Sequence, residues 1–218
     1  TMNYYIDLLE DAIKYKLMLN FHGATIPRGW QRTYPHMMSI EGVYGAEWYN
    51  NAPILTNRAA EHNATLPFTR NVVGPMDYTP GTFSNSQHPV IFESALQHMP
   101  DRPSVYYGLP EPVKRLLSEL PVAWDDTKLL AGYPGEEVIL ARRKGNVWYI
   151  GGINGTNETK TLHISLDKIA VNGKIISIFK DGIDNKHFSI EENIPLANVK
   201  SDLTIECLPR GGFVAVIK

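Results

Sequence analysis

Glu41 and Glu47 stand six positions apart, Glu41 followed by Gly42 and Glu47 by Trp48. Two carboxylates at that spacing, the first closing a short apolar run, can converge on one cation or bracket one bond. Such oxygen donors suit a hard ion like Ca2+, which takes about six to eight of them. They also suit proton transfer once burial raises the pKa of one. Around them lie Asn20-Phe21-His22-Gly23, Arg28-Gly29-Trp30 and Arg32-Thr33-Tyr34-Pro35. Trp30, Tyr34 and Trp48 offer flat apolar faces of the kind that suit sugar rings. His22, at the end of another apolar run, is placed to bind a substrate, although a lone histidine serves as often in structure. Asp77, after Gly74-Pro75-Met76, can hold a substrate hydroxyl or cap its own loop by binding the backbone, a use of Asp that turns favour. His36, His62, His88, His98, His163 and His187 show no metal-ligand spacing and read as structural. Two glutamates six apart are commonplace in soluble proteins; their setting, at a strand end among glycines and aromatic residues, is what singles them out.

These side chains need a scaffold, and residues 4–119 alternate helix and strand signals. Tyr5, Leu8, Leu9, Ala12 and Ile13 recur at helical spacing. The apolar runs 16–21, 37–40 and 71–73 read as strands of a parallel sheet, buried on both faces. They lead into His22-Gly23, Glu41-Gly42 and Gly74-Pro75-Met76-Asp77. Chemistry in parallel α/β folds sits at such C-terminal strand ends. Helices are expected from Pro89 to about Met99 and from Pro112 onward, the second carrying Val113, Leu116, Leu117 and Leu120. Three strands cannot close a barrel, so the segment is either a small open sheet or the end of something longer. The opening residues, with Asp7, Glu10 and Asp11, do not read as a signal peptide.

From about Val122 the pattern changes. Segments 128–133, 137–144, 147–154, 160–165, 174–181, 186–190, 202–208 and 213–217 read as short strands. Pro134-Gly135, Gly145-Asn146, Asn172-Gly173, Asp181-Gly182 and Gly211-Gly212 punctuate them. An antiparallel sandwich over residues 120–218 follows, after an α/β part over residues 1–119.

Composition excludes several classes. The chain has 218 residues, with 21 Lys and Arg against 23 Asp and Glu, a net charge of −2. Nucleic acid is not expected as a partner, because phosphate binding needs a clustered basic surplus. At 43% hydrophobic and 20% charged the chain can bury a core. Its apolar runs are only a few residues long, so no membrane span is expected. Cys207 is the single cysteine, which excludes a disulfide framework and any multi-cysteine metal site.

The ordered set Asn20-Phe21-His22-Gly23, Arg32-Thr33-Tyr34-Pro35, Glu41-Gly42 through Glu47, Pro67-Phe68-Thr69-Arg70 and Gly74-Pro75-Met76-Asp77-Tyr78-Thr79-Pro80-Gly81 resembles glycoside hydrolase family 97. The family combines an N-terminal β-sandwich, a (β/α)8 barrel and a C-terminal β domain. The resemblance therefore implies α/β plus β: residues 1–119 as the last βα units of the barrel and residues 120–218 as the C-terminal antiparallel domain. It implies a calcium-dependent hydrolase of α-linked oligosaccharides or galactosides. Glu47 matches the proton-donating acid and also a position that touches the calcium, Glu41 matches a calcium ligand, and His22 matches a substrate-binding histidine.

Position 23 separates two branches of the family. Inverting members carry a glutamate base there, whereas this chain has Gly23, as in the retaining, α-galactosidase-like branch. That branch takes its Asp nucleophile from an earlier barrel strand, which the resemblance places ahead of this sequence. An inverting pair leaves room for a water, while a retaining pair sits only about 5 Å apart. A chain with the acid/base but without the nucleophile is expected to be inactive alone, and to associate with itself or with the missing part. By resemblance the location is periplasmic or secreted, in a bacterium. The alternative is a non-catalytic carbohydrate-binding or assembly module.

Overall fold

A computed structural model describes residues 2–79, 91–169, 171, 174–183, 187–196 and 202–218, with the side chains of residues 49 and 50 left aside. The first helix, α1 (Met2–Tyr15), follows the apolar periodicity and buries Leu9 and Ala12. It packs on two parallel strands, β1 (Leu19–Phe21) and β2 (Met37–Ile40), through a cluster of Leu9, Met37 and Ile40. A single parallel bridge, Ile40 to Met76, adds a third position to this sheet.

Three expectations for this half are corrected, the first being the strand over 16–21, which forms only over Leu19–Phe21 and leaves Leu17 and Met18 exposed. Residues 71–73 do not form a strand but belong to a 3-10 turn, Arg70–Val73. Val72 and Val73 are 70% and 48% exposed, so no burial holds that run extended, whereas Met76, three residues on, is fully buried and makes the bridge. The helix expected from Pro89 falls partly outside the described residues; from Phe92 to Pro100 the chain makes bends instead. Side chains there satisfy the backbone that a helix would have satisfied: Gln97 Nε2 donates to the Phe92 carbonyl at 3.0 Å, and Ser94 Oγ to that of Leu96 at 2.7 Å. The second helix forms over Glu111–Glu119 with Pro112 in its first turn.

The second half is antiparallel. β3 (Asp126–Tyr133), β4 (Glu137–Lys144), β5 (Val147–Asn154), β6 (Lys160–Ser165), β7 (Ile175–Asp181), β8 (Phe188–Pro195), β9 (Asp202–Cys207) and β10 (Gly212–Ile217) build a six-stranded sheet, β3-β4-β5-β10-β7-β8, and a two-stranded sheet, β6-β9. Leu162, Ile164, Leu203 and Ile205 of the small sheet meet Ile139, Ile150, Ile176 and Ala215 of the large one in the main core. The outer face of the small sheet is wet, and β9 alternates exposed and buried residues along its length.

The large sheet is covered on both sides, which explains why residues 138–141 of β4 form an unbroken apolar stretch. Ile139 and Ala141 face the sandwich core. Val138 and Leu140 face the first half, against Ala64, Leu66, Met76 and Tyr78. On β10 the same alternation places Val214 and Val216 under the helix Glu111–Glu119, beside Val113 and Leu116. The sheet thus backs the strand ends that carry the ionisable residues. Several apolar side chains stay uncovered: Tyr4, Ile13, Tyr15, Leu17 and Met18, on and after α1, are all more than 40% exposed.

Candidate active site

Each of the three parallel positions hands over directly to an ionisable residue. β1 ends at Phe21 and His22 follows; β2 ends at Ile40 and Glu41 follows; the bridge at Met76 is followed by Asp77. Backbone hydrogen bonds fix that register: the Glu41 N–H donates to the Phe21 carbonyl at 2.8 Å and the Asp77 N–H to that of Ile40 at 3.3 Å. Glu47 comes from the 3-10 turn Ala46–Asn50, which is tied in by the Ala46 N–H on the Tyr78 carbonyl at 3.0 Å.

The four predicted site residues are brought together. His22 Nδ1 lies 3.2 Å from Asp77 Oδ2, while its Nε2 lies 3.7 Å from Glu41 Oε1 and 4.0 Å from Glu47 Oε1. One ligand atom each of His22, Glu41 and Glu47 fits within 4.8 Å of the other two. Glu41 is buried and accepts the Gly23 backbone N–H. Gly23 has φ 63°, in the left-handed region that favours glycine. Glu47 accepts the Thr79 hydroxyl on Oε2. A cavity of about 580 Å3 opens beside Glu41, with Gly23, Tyr44, Trp48 and His62 in its wall.

The aromatic residues divide. Trp48 is 39% exposed at the cavity and meets Tyr44 edge-on at 5.5 Å, so it remains available to a ligand. Trp30 instead stacks on Tyr5 at 5.4 Å, and the Tyr34 hydroxyl donates to Glu10. Both anchor α1, and the sugar-stacking role considered for them in the sequence does not hold.

Asp77 also differs from a simple substrate ligand. Its side chain is fully buried and both oxygens are occupied. Oδ2 accepts from Asn20 Nδ2 at 2.8 Å and faces His22 Nδ1; Oδ1 faces His98 Nδ1 at 2.8 Å. With its carboxylate inaccessible to solvent, Asp77 is not placed for the hydroxyl-holding role expected of it. His98, read from sequence as structural, belongs to the cluster, and only the fold reveals this. His36 and His62 do serve structure, each facing a backbone carbonyl, of Leu9 and of Tyr44. His88 lies outside the described residues.

Arg70, quoted in the sequence without a role, underpins the whole. Its buried guanidinium donates to the carbonyls of Ile40, Glu41, Gly42, Gly74 and Pro75 at 2.8–3.2 Å. One side chain thus gathers the loops that carry Glu41 and Asp77. Burial pulls its pKa down to about 10.

The electrostatics follow from this crowding. Burial, then a hydrogen bond with Glu47, holds the Glu41 carboxyl above its usual range, against the Gly23 N–H and His22. Burial pulls the His22 imidazolium down, but the bond to Asp77 and the charges of Glu41, Asp77 and Glu47 outweigh it and leave its pKa raised. Burial pushes the Asp77 carboxyl up, and hydrogen bonds from Asn20, His98 and His22 more than offset it, so its pKa is lowered.

A depressed carboxyl pKa adds stability that is fully present above the unfolded value, about 4, and is lost as pH falls through the folded one. A raised histidine pKa adds stability that is present below about 6.5 and fades as pH rises. The stability difference between the unsubstituted chain and Asp77→Asn should therefore peak between those limits and shrink on either side. Urea melts across pH check this; a gap that widens below pH ~4 would contradict it.

A hard cation fits the same residues. Glu41 and Glu47 supply carboxylate oxygens of the type calcium takes, and Glu47 Oε1 is buried with no hydrogen-bond donor among the described residues. Glu41 and Glu47 are the residues that would hold the ion, with further oxygens required from elsewhere.

Comparison with known proteins identifies the family. Residues 123–218 match a family described as "Glycosyl-hydrolase 97 C-terminal, oligomerisation", and residues 1–43 match "Glycoside hydrolase 97". A "Probable retaining alpha-galactosidase" of Streptomyces bingchenggensis is 36% identical over 99% of this chain and 34% of its own length. A "Retaining alpha-galactosidase" of Bacteroides thetaiotaomicron is 32% identical over 96% of this chain and 35% of its own length. The chain thus spans about a third of those relatives. Among solved structures, a beta-arabinopyranosidase superposes with TM-score 0.86 at 27% identity, covering 99% of this chain and 37% of that one. A family 97 enzyme from a Pseudoalteromonas species, in complex with acarbose, gives TM-score 0.86 at 28% identity with the same coverage.

Proposed function

This chain belongs to glycoside hydrolase family 97, and from that premise we propose that it carries the acid/base half of a retaining, calcium-dependent α-galactosidase. The observation that carries the reading is the meeting of His22 and Glu41, at adjoining parallel strand ends, with Glu47 of the 3-10 turn Ala46–Asn50, beside a cavity with an exposed tryptophan. In this reading residues 1–119 are the closing βα units of a (β/α)8 barrel and residues 120–218 its C-terminal domain. The exposed apolar side chains on and after α1 are where earlier barrel elements would pack.

Glu47 gives its proton to the glycosidic oxygen as the C1–O bond breaks. As a carboxylate it then takes a proton from the water that releases the sugar. The nucleophile that holds the sugar in between is a carboxylate from the preceding part of the barrel. Gly23 places no carboxylate where an inverting member has its base. His22, oriented by Asp77, faces the same space and holds a sugar hydroxyl. When bound between Glu41 and Glu47, calcium supplies positive charge that orients the sugar and stabilises charge developing at the reacting centre. The oligomerisation description of the matched C-terminal family favours self-association through residues 120–218.

A panel of p-nitrophenyl α-galactoside, α-glucoside and β-L-arabinopyranoside tests the substrate class on the full-length protein. The galactoside should be cleaved fastest; the arabinopyranoside lacks only its C6 hydroxymethyl group and is the natural second substrate. Release from none of the three would end the glycosidase reading. Removing divalent ions with EGTA should cut the rate about a hundredfold, and Ca2+ should restore it where Mg2+ does not. Full activity after exhaustive chelation would remove calcium from the account.

A further inference from the structure

The Asp77 carboxylate lies between two imidazoles rather than one. Oδ2 meets His22 Nδ1 at 3.2 Å, and Oδ1 meets His98 Nδ1 at 2.8 Å. Asn20 Nδ2 braces Oδ2 at 2.8 Å. The carboxylate is inaccessible to solvent, whereas the His22 and His98 side chains are 50% and 43% exposed. A buried acceptor that binds two half-exposed rings through the same nitrogen fixes both rings in one sense. Each keeps its proton on Nδ1 and presents Nε2 outward. For His22, outward means toward Glu41 and Glu47. An imidazole needed only to satisfy Asp77 could be buried; here two half-exposed rings share a single buried carboxylate.

We infer that His98 is a second substrate-binding residue of this site, and that Asp77 is the positioning residue that aims both His22 and His98 at the hydroxyls of one pyranose. This rests on the α-glycosidase reading for its ligand, a galactopyranoside, but the pairing of the rings is read from this chain's own contacts. Asn and Gln at position 98 separate the two roles of the ring. Asn carries its amide near the place of Nδ1, so His98→Asn keeps the bond to Asp77 and loses Nε2. Gln reaches the place of Nε2 and gives up the bond to Asp77.

In the full-length protein, His98→Asn should raise KM for p-nitrophenyl α-galactoside on the order of tenfold, about one hydrogen bond, with kcat and melting temperature little changed. His98→Gln should keep more of the affinity. A purely structural His98 predicts the reverse order, wild-type kinetics for Asn and damage for Gln, and that result would overturn the inference. The pairing is read independently from 15N spectra of the histidine-labelled protein at a pH well above the ordinary imidazole range. Both rings must be protonated on Nδ1, and Asp77→Asn must disturb both signals. An Nε2–H tautomer at either ring overturns the inference even in an active enzyme. If the wild type cleaves no galactoside, the functional reading fails, while the spectra still decide the pairing.

Discussion

Glu47→Gln is expected to lower kcat/KM for α-galactosides with unactivated leaving groups by about 10³-fold in the full-length protein, the usual weight of a positioned general acid. The amide keeps the volume and the bond from the Thr79 hydroxyl but has no proton to give. A nitrophenolate leaves without help, so the first step on an aryl galactoside should survive while release of the sugar slows for want of a base. Azide needs no base and should restore turnover, yielding α-galactosyl azide. The same variant should still bind galactose, since His22 and Asp77 are untouched. Undiminished hydrolysis of melibiose-type substrates by Glu47→Gln would remove Glu47 from the acid/base role, and Glu41, within the same 4.8 Å cluster, would take its place as candidate.

The second large effect lies outside the chemistry. Arg70→Met should destabilise the chain by about 4 kcal/mol, because a charged donor is removed from five backbone carbonyls that have collected around it. Carbonyls left buried without donors each cost on the order of 1–3 kcal/mol, although water entering the gap will relieve some of them. Arg70→Lys keeps the charge but offers a single compact head in place of a planar fork, so it should fall between the two. Urea unfolding of the three proteins measures this directly. A Met variant within about 1 kcal/mol of the parent would show that the loops of Glu41 and Asp77 hold their shape without Arg70.

The sequence was most legible where one force dominates. In the antiparallel half, turn dipeptides such as Gly145-Asn146 and Asp181-Gly182 separate apolar runs, and β4 and β5 run over the predicted residues. β8 runs further than expected, to Pro195; it is an edge strand, and the charges of Glu191 and Glu192 that suit an edge disguise a strand. In the first half β2 is where the pattern puts it, but the Val72-Val73 run misled, because apolar residues signal a strand only when something buries them. His22, Glu41, Glu47 and Asp77 were visible as polar residues following apolar runs or glycines. His98 and Arg70 were not. One reaches the site from 21 positions beyond Asp77 and the other works on backbone carbonyls, and neither relation leaves a spacing in the sequence.

The most direct test of the central reading is the anomer of the first sugar released. The full-length protein would be mixed with p-nitrophenyl α-galactoside in D2O and followed by 1H NMR before mutarotation sets in. Two successive inversions, with Glu47 serving both steps and Gly23 in place of a second base, give α-galactose first. β-Galactose first would mean a single displacement by water, which needs a base that Gly23 cannot be, and would contradict the assignment of this chain to a retaining site.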